Sequence, residues 1–593
     1  MKHILYFYLF GCILLISCKD QESEQKTATS EQQKPNIILI MADDQGWGDL
    51  SHSGNTNLST PNIDALAYNG VSFNNFFVQP VCSPTRAELL TGRYFPLLGV
   101  RSTSAGGERM NLGETTLATI LKEAGYATAA YGKWHNGMQP PYHPNARGFD
   151  DFYGFASGHW GNYFDPMLEH NGEIVKGAGF LTDDLTDHGM EFMTKNKEQP
   201  FFLFLPFNTP HSPMQVPDTF WNRIKDRDLE MNHQGDEEEN IQFTKAALAM
   251  VENIDENVGR IMAHLDNLAL TDNTIVIYLS DNGPNGIRFN GGLKGRKGST
   301  DEGGIKTPFF IQWQNKIPKG KKVDQIASAL DVLPTLTNLA GIPLKTQKPI
   351  HGKDLTPVLL QENPDWEERL IFNHWNGKTS VRSQKYRLDE NNELFDMVAD
   401  SGQTTPIARQ VPSLTDSLKN TKDKWETEVL PTIADKRPFT LGHPDYTYTQ
   451  LPARDGIPHG TIKRSNKYPN DSFFTHWNQV QDSITWDAEV LADGEFMVDL
   501  YYTCNEKNIG STIELRFGGS SLKSKILVAH DPPLTGMEND RVERMESYVK
   551  DFRPMQLGKI SLKKGRNTLS LKALDIPAAE VMDFRLLLFK RLD

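Results

Sequence analysis

Two nearly continuous apolar runs constrain the fold of this chain more than any other feature. Residues 36–41 read NIILIM, and residues 274–279 read TIVIYL. Apolar runs without polar alternation are typical of strands that are buried on both faces, as in a parallel sheet covered by helices. Helical stretches separate these runs from others, and the alternation predicts an α/β domain with a parallel or mixed sheet.

Polar side chains follow the ends of four such runs, which include residues 126–131 and 201–205. The polar residues that come after the four runs are Asp43 and Asp44, Lys133 and His135, His211, and Asp281 and Asn282. In open α/β sheets, ligand sites collect outside the carboxyl ends of the strands. We therefore expect these side chains to converge on one crevice.

Four of these residues offer hard oxygen ligands. They are Asp43, Asp44, Asp281 and Asn282, with no sulfur and no paired histidines directly beside them. Such a set favours calcium or magnesium over zinc. Taken singly, a carboxylate after a strand is more often a helix cap or a turn residue, and that alternative stays open for each one.

Cys82 precedes a short helix-forming segment. Ser83 can cap a helix that has Pro84 in its first turn and runs to about Leu90, so residue 82 is expected to lie against a helix N-terminus that favours an anion. Arg86, one turn into the helix, adds a positive charge. The alternative is a buried free thiol with no chemical role.

The segment around Cys82 resembles the C-x-P-x-R signature of the type I sulfatases, including the Thr-Gly-Arg that follows it at residues 91–93. Residues 132–135 and 295–304 match further motifs of that family, and the resemblance covers about residues 35–431. Two departures are mild: Thr85 replaces the commoner serine, and Asp301 stands where an aromatic residue is frequent. Lys297 aligns with the family's sulfate-binding lysine, although nearby Lys294 is a rival.

The resemblance implies a mechanism. Cys82 would be oxidised to formylglycine, whose hydrate attacks the sulfur of a sulfate ester beside one calcium ion. The metal ligands would be Asp43, Asp44, residue 82, Asp281 and Asn282. Lys133 and Lys297 would bind sulfate oxygens, and Arg86 would help to activate residue 82. His211 would protonate the leaving oxygen, and His135 would take the proton that lets the aldehyde form again.

The family also implies partners and substrates. We expect a formylglycine-generating enzyme or an anaerobic maturase to modify residue 82, and we expect exo action on a sulfated polysaccharide or its oligosaccharides, such as ulvan, carrageenan or a glycosaminoglycan. The predicted substrate-binding residues are Arg101, His159, Trp160 and His374. Two alternatives remain: a phosphodiesterase or phosphonate monoester hydrolase of the same superfamily, or a non-catalytic lipoprotein that binds sulfated glycans.

The first residues predict export. Residues 1–17 read as a signal peptide, and residues 15–18 resemble a lipobox in which Cys18 becomes the lipidated residue. Residues 18–34 are polar and predict a disordered tether, so we expect a lipoprotein of the outer membrane, facing the cell surface or the periplasm. A cleaved soluble export signal is the alternative. The net charge of −14 argues against nucleic-acid binding.

The length of 593 residues predicts several domains. The family fold, an alkaline-phosphatase-like mixed sheet flanked by helices, would occupy residues 35–368, and its small antiparallel subdomain residues 369–435. Short alternating strands in residues 440–593 predict an appended β-sandwich of jelly-roll type. That module is expected either to bind glycans through Trp477 and Trp486 or to act as a structural buttress.

Overall fold

A ten-stranded mixed sheet forms the centre of the computed structural model, in the order β11-β2-β10-β9-β1-β8-β4-β5-β6-β7. The structure describes residues 34–593 except 232, 234–236, 363 and 431–436. The strands of this sheet are β1 Asn36–Ala42, β2 Val71–Phe73, β4 Ala127–Lys133, β5 Asp151–Phe155, β6 Met167–His170, β7 Glu173–Lys176, β8 Phe201–Pro206, β9 Thr274–Ser280, β10 Phe309–Trp313 and β11 Lys321–Val323. Strands β9, β1, β8, β4 and β5 are mutually parallel. On one side β10 is antiparallel to β9 and β2, and the edge strand β11 is parallel to β2; on the other side β5, β6 and β7 pair antiparallel.

The sheet is buried on both faces, as its apolar runs predict. Ile37, Leu39 and Met41 belong to one hydrophobic cluster, whereas Ile38 and Ile40 belong to another. Because successive side chains of a strand point to opposite faces, a strand covered on both faces must be apolar at every position. The predicted α/β fold class with a mixed sheet is therefore confirmed.

The part of the chain that the structure describes also contains ten α-helices and one short two-stranded pairing. The helices are α1 Pro61–Tyr68, α2 Cys82–Thr91, α3 Leu117–Glu123, α4 Leu181–Lys195, α5 Asp218–Ile224, α6 Ile241–Asn267, α7 Glu302–Ile305, α8 Val332–Leu339, α9 Thr356–Leu360 and α10 Pro412–Val429. The pairing joins β3 Phe76–Phe77 to β12 Ala327–Ser328. Among the described residues, no helix combines the length and the apolar character that a membrane crossing requires.

A four-stranded antiparallel sheet and helix α10 form the small subdomain. Its strands are β13 Ile371–Trp375, β14 Lys378–Arg382, β15 Tyr386–Leu388 and β16 Leu394–Asp396. Phe372 of β13 stacks on Trp425 of α10 with ring centroids 5.0 Å apart. The helix therefore covers the sheet through an aromatic contact.

Two six-stranded sheets make up the C-terminal β-sandwich. One contains β17 Phe439–Leu441, β19 Ile457–His459, β22 Ser483–Val490, β24 Thr512–Phe517, β25 Ser520–Lys525 and β29 Gly565–Asp575. The other contains β18 Tyr448–Pro452, β20 Lys463–Arg464, β21 Phe474–Thr475, β23 Gly494–Thr503, β28 Arg553–Leu562 and β30 Asp583–Arg591. A small pair, β26 Leu534–Thr535 and β27 Val549–Lys550, lies in a connecting segment.

The tryptophans expected to bind glycans lie in the core of the sandwich. Trp477 and Trp486 are each 1% exposed and share one hydrophobic cluster with residues of both sheets. The glycan-binding role predicted for them is wrong, because a ring buried between two sheets has no face for a sugar. The predicted signal peptide, the lipidation at Cys18 and nearly all of the predicted tether lie outside the described residues.

Candidate active site

Cys82 begins helix α2 rather than preceding it. The N-cap is Val81, whose backbone is extended, and no side chain caps the helix, so the predicted capping role of Ser83 is wrong. Every residue of the helix is buried, and Cys82 is 4% exposed. Burial raises the pKa of the Cys82 thiol, although Lys133 and Lys297 oppose that shift.

The ends of β1 and β9 bring the acidic residues together. These strands are parallel and pair Ala42 with Ser280, so the chain leaves both strands at the same level. The backbone N–H of Asp44 donates to Oδ1 of Asp281 at 3.2 Å. Asp44 has a positive φ of 66°, a left-handed conformation that is uncommon outside glycine and occurs often at functional sites.

Three buried carboxylates are matched by three cations. Arg86 donates to Oδ2 of Asp281 from Nε at 3.0 Å and from Nη2 at 2.7 Å. The Nζ atoms of the two lysines approach the other carboxylates, Lys133 at 2.6 Å from Asp43 and Lys297 at 2.5 Å from Asp44. Although burial by itself raises the pKa of the Asp44 carboxyl, Lys297 and His211 hold that pKa well below its usual range.

The donor set fits a hard divalent cation. Oδ1 of Asp43, Oδ2 of Asp44 and Oδ1 of Asn282 are buried and have no hydrogen-bond partner among the described residues. Buried oxygens without donors are costly unless a cation or a ligand satisfies them. Ligand atoms of Asp43, Asp281 and Cys82 lie within 4.8 Å of one another, as do those of Asp43, Asp44 and His211. The oxygens suit calcium or magnesium.

His135 is held in a single tautomer. Its Nε2 lies 2.8 Å from the carbonyl oxygen of Thr103, and because a carbonyl only accepts, Nε2 carries the proton. Nδ1 is then the basic nitrogen, and it is buried without a hydrogen-bond partner among the described residues. Burial, reinforced by Lys133, lowers the pKa of His135 well below its ordinary value. The residue has a positive φ of 62°.

His211 faces Asp44 on the other side of the site. Its Nδ1 lies 2.7 Å from the carbonyl oxygen of Ser212, so Nδ1 donates there and Nε2 is left 3.7 Å from Oδ2 of Asp44. The ring of His159 lies 5.5 Å from the ring of His211, measured between centroids. Burial lowers the pKa of both histidines.

A tight loop presents Lys297 to the site. Glu302, at the start of α7, accepts from Arg387 at 2.8 Å and so ties the loop to the small subdomain. A Cβ on Gly304 would meet the backbone oxygen of Ser299 at 2.2 Å, which explains the glycine there. The rival Lys294 lies 3.4 Å from Asp301 and above the ring of Phe395, away from the acidic cluster.

These residues open onto a cavity of about 380 Å³. Cys82, His135, His159, His211 and Lys297 line it. The structure thus brings four of the six predicted catalytic residues and one predicted substrate-binding residue, His159, to a single pocket. Arg86 and Lys133, the other two, contact Asp281 and Asp43.

The structure places the other three predicted substrate-binding residues elsewhere. His374 is 7% exposed, and a hydrogen bond of 2.8 Å joins its Nδ1 to Oγ1 of Thr379. It is therefore a core residue. Trp160 stacks on Phe155 and lines a separate cavity. Arg101 is half-buried and outside the described lining of the Cys82 cavity. The predictions for His374 and Trp160 are wrong because packing turns both side chains away from the cavity, whereas the role of Arg101 stays a prediction.

Sequence reasoning missed a second group of residues that line the cavity. Trp375 comes from the small subdomain, and Tyr468, Asn470, Met545 and Glu546 come from the β-sandwich. Their sequence contexts match no motif that we identified. Only their position in the folded chain relates them to Cys82.

Sulfatases are prominent among the known proteins with similar sequences and structures. Residues 35–342 match the family model described as Sulfatase, and residues 297–421 match one described as N-sulphoglucosamine sulphohydrolase, C-terminal. The N-acetylgalactosamine-6-sulfatase of Canis lupus familiaris is 31% identical over 370 residues, which cover 56% of this chain and 67% of the relative. The crystal structure of Ps i-CgsB, also solved in complex with k-i-k-neocarrahexaose, is 32% identical with a TM-score of 0.61 and covers 67% of this chain and 94% of that chain.

Proposed function

The chain belongs to the sulfatase family and is a sulfuric ester hydrolase, and from this premise we propose that it removes sulfate from a sulfated oligosaccharide, with residue 82 converted to formylglycine and one calcium ion bound. The observation that carries the proposal is the cluster of Cys82 with three buried carboxylates, three cations and two histidines. Cys82, one of the cations and both histidines line one cavity. The carboxyl ends of β1, β4, β8 and β9 supply the carboxylates, Lys133 and the two histidines of this cluster.

The charges of the site suit an anionic ester. Asp43, Asp44 and Asp281 are balanced by Arg86, Lys133 and Lys297, so a bound divalent cation gives the site a net positive charge. A calcium ion held by the unsatisfied oxygens would supply positive charge at the sulfate oxygens. Lys133 lies at the end of β4 and Lys297 in the loop before α7, and both lie close enough to Cys82 to lower the pKa of its thiol. In the proposal, the two lysines hold sulfate oxygens beside residue 82.

The two histidines have separate roles in the proposal. Nδ1 of His211 is occupied by the carbonyl of Ser212, so His211 acts through Nε2 and passes a proton to the leaving oxygen. Nε2 of His135 is occupied by the carbonyl of Thr103, so His135 acts as a base through Nδ1. Formylglycine supplies, as its hydrate, an oxygen nucleophile for sulfur. Arg86 stabilises negative charge at residue 82 from one helical turn away.

The cavity and the relatives support a sugar substrate. A volume of about 380 Å³ lies near the lower end of the range for small-molecule pockets, which suits the end of an oligosaccharide and hence exo action. Ps i-CgsB, at 32% identity, binds k-i-k-neocarrahexaose, and another relative is an N-acetylgalactosamine-6-sulfatase. The first relative thus binds an oligosaccharide, and the second is named for a sulfated sugar. We propose a substrate of the same class, a sulfated oligosaccharide, for this chain.

The test combines mass analysis with substrate profiling. Protein produced together with a formylglycine-generating enzyme should have a residue 82 about 18 Da lighter than cysteine. That protein, supplied with calcium, should release free sulfate from at least one member of a panel of defined sulfated oligosaccharides, and Cys82→Ala should release none. Faster release of phosphate from matched phosphate esters, or full activity with an unmodified thiol, would refute the proposal.

A further inference from the structure

Two loops of the β-sandwich form part of the wall of the Cys82 cavity. The first sandwich loop, residues 465–473, contributes Tyr468 and Asn470, and the second sandwich loop, residues 536–548, contributes Met545 and Glu546. The two matching family models end at residues 342 and 421. This wall is therefore built by a part of the chain that lies beyond both models.

The first sandwich loop is tied to the catalytic domain by buried polar contacts. Nδ2 of Asn470 donates to the carbonyl oxygen of Thr103 at 3.4 Å, the same atom that binds His135. Asp471, which is 2% exposed, accepts from the backbone N–H of Gly161. These contacts fix the loop relative to the catalytic residues.

The second sandwich loop is fixed to the segment that carries His211. The backbone N–H of Arg541 donates to the carbonyl oxygen of Met214 at 2.9 Å, and Nε2 of Gln215 donates to that of Gly536 at 2.8 Å. The hydroxyl of Ser212, next to His211, donates to the Glu546 carboxylate. Glu546 is thus positioned by a direct neighbour of a catalytic residue.

The two loops are also bonded to each other. Nδ2 of Asn466 donates to the carbonyl oxygen of Met545 at 2.7 Å, and the hydroxyls of Ser465 and Ser547 lie 2.7 Å apart. A wall held by contacts on three sides is formed before substrate arrives. Preorganisation of this kind raises affinity because little ordering is left for the binding step.

The chemistry of the wall matches a sugar. Tyr468 is 41% exposed, with Nζ of Lys467 5.0 Å from the centroid of its ring, and Trp375 lines the same cavity. The open face of Tyr468 and the ring of Trp375 suit the apolar face of a sugar ring. Among the described lining residues other than histidine, Lys297 and Glu546 are the charged ones. Lys297 lies with the acidic cluster, which leaves Glu546 as the charged side chain of the sandwich wall.

A carboxylate in this position discriminates between sugars. It accepts hydrogen bonds from hydroxyl groups, but it repels a uronate or a second sulfate, and the repulsion is strong in a partly desolvated pocket. We infer that the sandwich is part of the substrate site: Tyr468 carries the sugar ring, and Glu546 restricts that ring to one whose only anionic group is the sulfate to be removed. This inference rests on the proposed function.

The test compares two substrates that differ by one group. The first is the singly sulfated oligosaccharide that the wild type hydrolyses fastest, and the second is its analogue with an additional sulfate on the same ring. Glu546→Gln keeps the shape and an acceptor oxygen but removes the charge. We expect it to lower the preference for the singly sulfated substrate, measured as the ratio of kcat/KM values, by about tenfold.

Tyr468→Ala tests the stacking role separately. We expect KM for the singly sulfated oligosaccharide to rise by about tenfold and kcat to change less than KM, because stacking on the ring contributes mainly to binding. Glu506→Gln, an exposed residue of the sandwich, is the matched control and should change neither quantity.

The outcomes separate this inference from the function on which it rests. If the wild type releases sulfate but both variants keep its substrate ratio and KM, the sandwich has no part in recognition and the inference is overturned. If wild-type protein with formylglycine and calcium hydrolyses no sulfate ester, the proposed function fails and the inference fails with it.

Discussion

His135 and Asn470 donate hydrogen bonds to the same carbonyl oxygen, that of Thr103, at 2.8 Å from the histidine and 3.4 Å from the asparagine. One residue belongs to the catalytic domain and the other to the β-sandwich. The shared acceptor links the position of His135, the proposed catalytic base, to a module that lies outside the catalytic domain. The sandwich therefore acts as a buttress for the active site and also lines its cavity.

Gly158 packs closely against His135, so one methyl group added at residue 158 is expected to lower the activity strongly. A Cβ on Gly158 would lie 2.1 Å from Nε2 of His135, so Gly158→Ala should displace the imidazole. Because a misplacement of about 1 Å can cost about 100-fold in rate, we expect kcat to fall by about that factor. Gly519→Ala, where a Cβ would meet nothing within 4 Å, is the control. Equal kcat in the two variants would contradict this role of Gly158.

Asp281 is expected to serve both the metal and Arg86. Asp281→Ala removes a ligand and leaves the guanidinium of Arg86, which is 0% exposed, without its main partner. We expect calcium affinity and activity to be lost and stability to fall by about 3 to 5 kcal/mol. Calorimetric titration with calcium and chemical unfolding measure the two effects, with the exposed Asp493→Ala as the control. Unchanged calcium affinity would remove Asp281 from the metal site.

Glu88 makes stability depend on pH. Burial raises its pKa to about 8 from an ordinary value of 4.5, although Phe95 and Gln79 donate hydrogen bonds to the carboxylate. Between these two values the folded protein holds a proton that the unfolded chain has lost. The stability contributed by the protonated form is complete below the unfolded pKa and is lost as pH rises through the folded pKa.

Glu88→Gln should remove this dependence because the amide is neutral at every pH. We expect the Tm of the wild type to decline more steeply than that of the variant between about pH 5 and about pH 8, the interval between the unfolded and folded pKa values. Differential scanning calorimetry across this range is the measurement. Parallel curves would show that Glu88 is ionised at the same pH in the folded and unfolded states.

The lipid anchor is a proposal that rests on the sequence of the first residues. If Cys18 is lipidated, the wild type should partition into the detergent phase and fractionate with the outer membrane, and Cys18→Ser should not. Cys12→Ser is the matched control because it changes the other cysteine of the same segment. A Cys18→Ser protein that stays in the membrane fraction would refute lipidation at this residue.

The residues of the proposed active site could be identified in the sequence because each belongs to a short motif or follows a strand at its carboxyl end. Parallel strands end at the same edge of the sheet, so apolar runs that stop at Asp43, Lys133 and Asp281 place these residues together without further information. The preference of oxygen ligands for calcium or magnesium is likewise a property of the side chains themselves.

Only the tertiary structure decided which residues recognise the rest of the substrate. His374 and Trp160 carry suitable chemistry, but long-range contacts hold them away from the cavity, with the rings of Phe95 and Trp425 for His374 and the guanidinium of Arg585 for Trp160. Glu546, in contrast, reaches the cavity from the sandwich. The position of Glu546 depends on how the hydrophobic core of the sandwich packs against that of the catalytic domain. That packing is the sum of many long-range contacts, and no local pattern in the sequence encodes it.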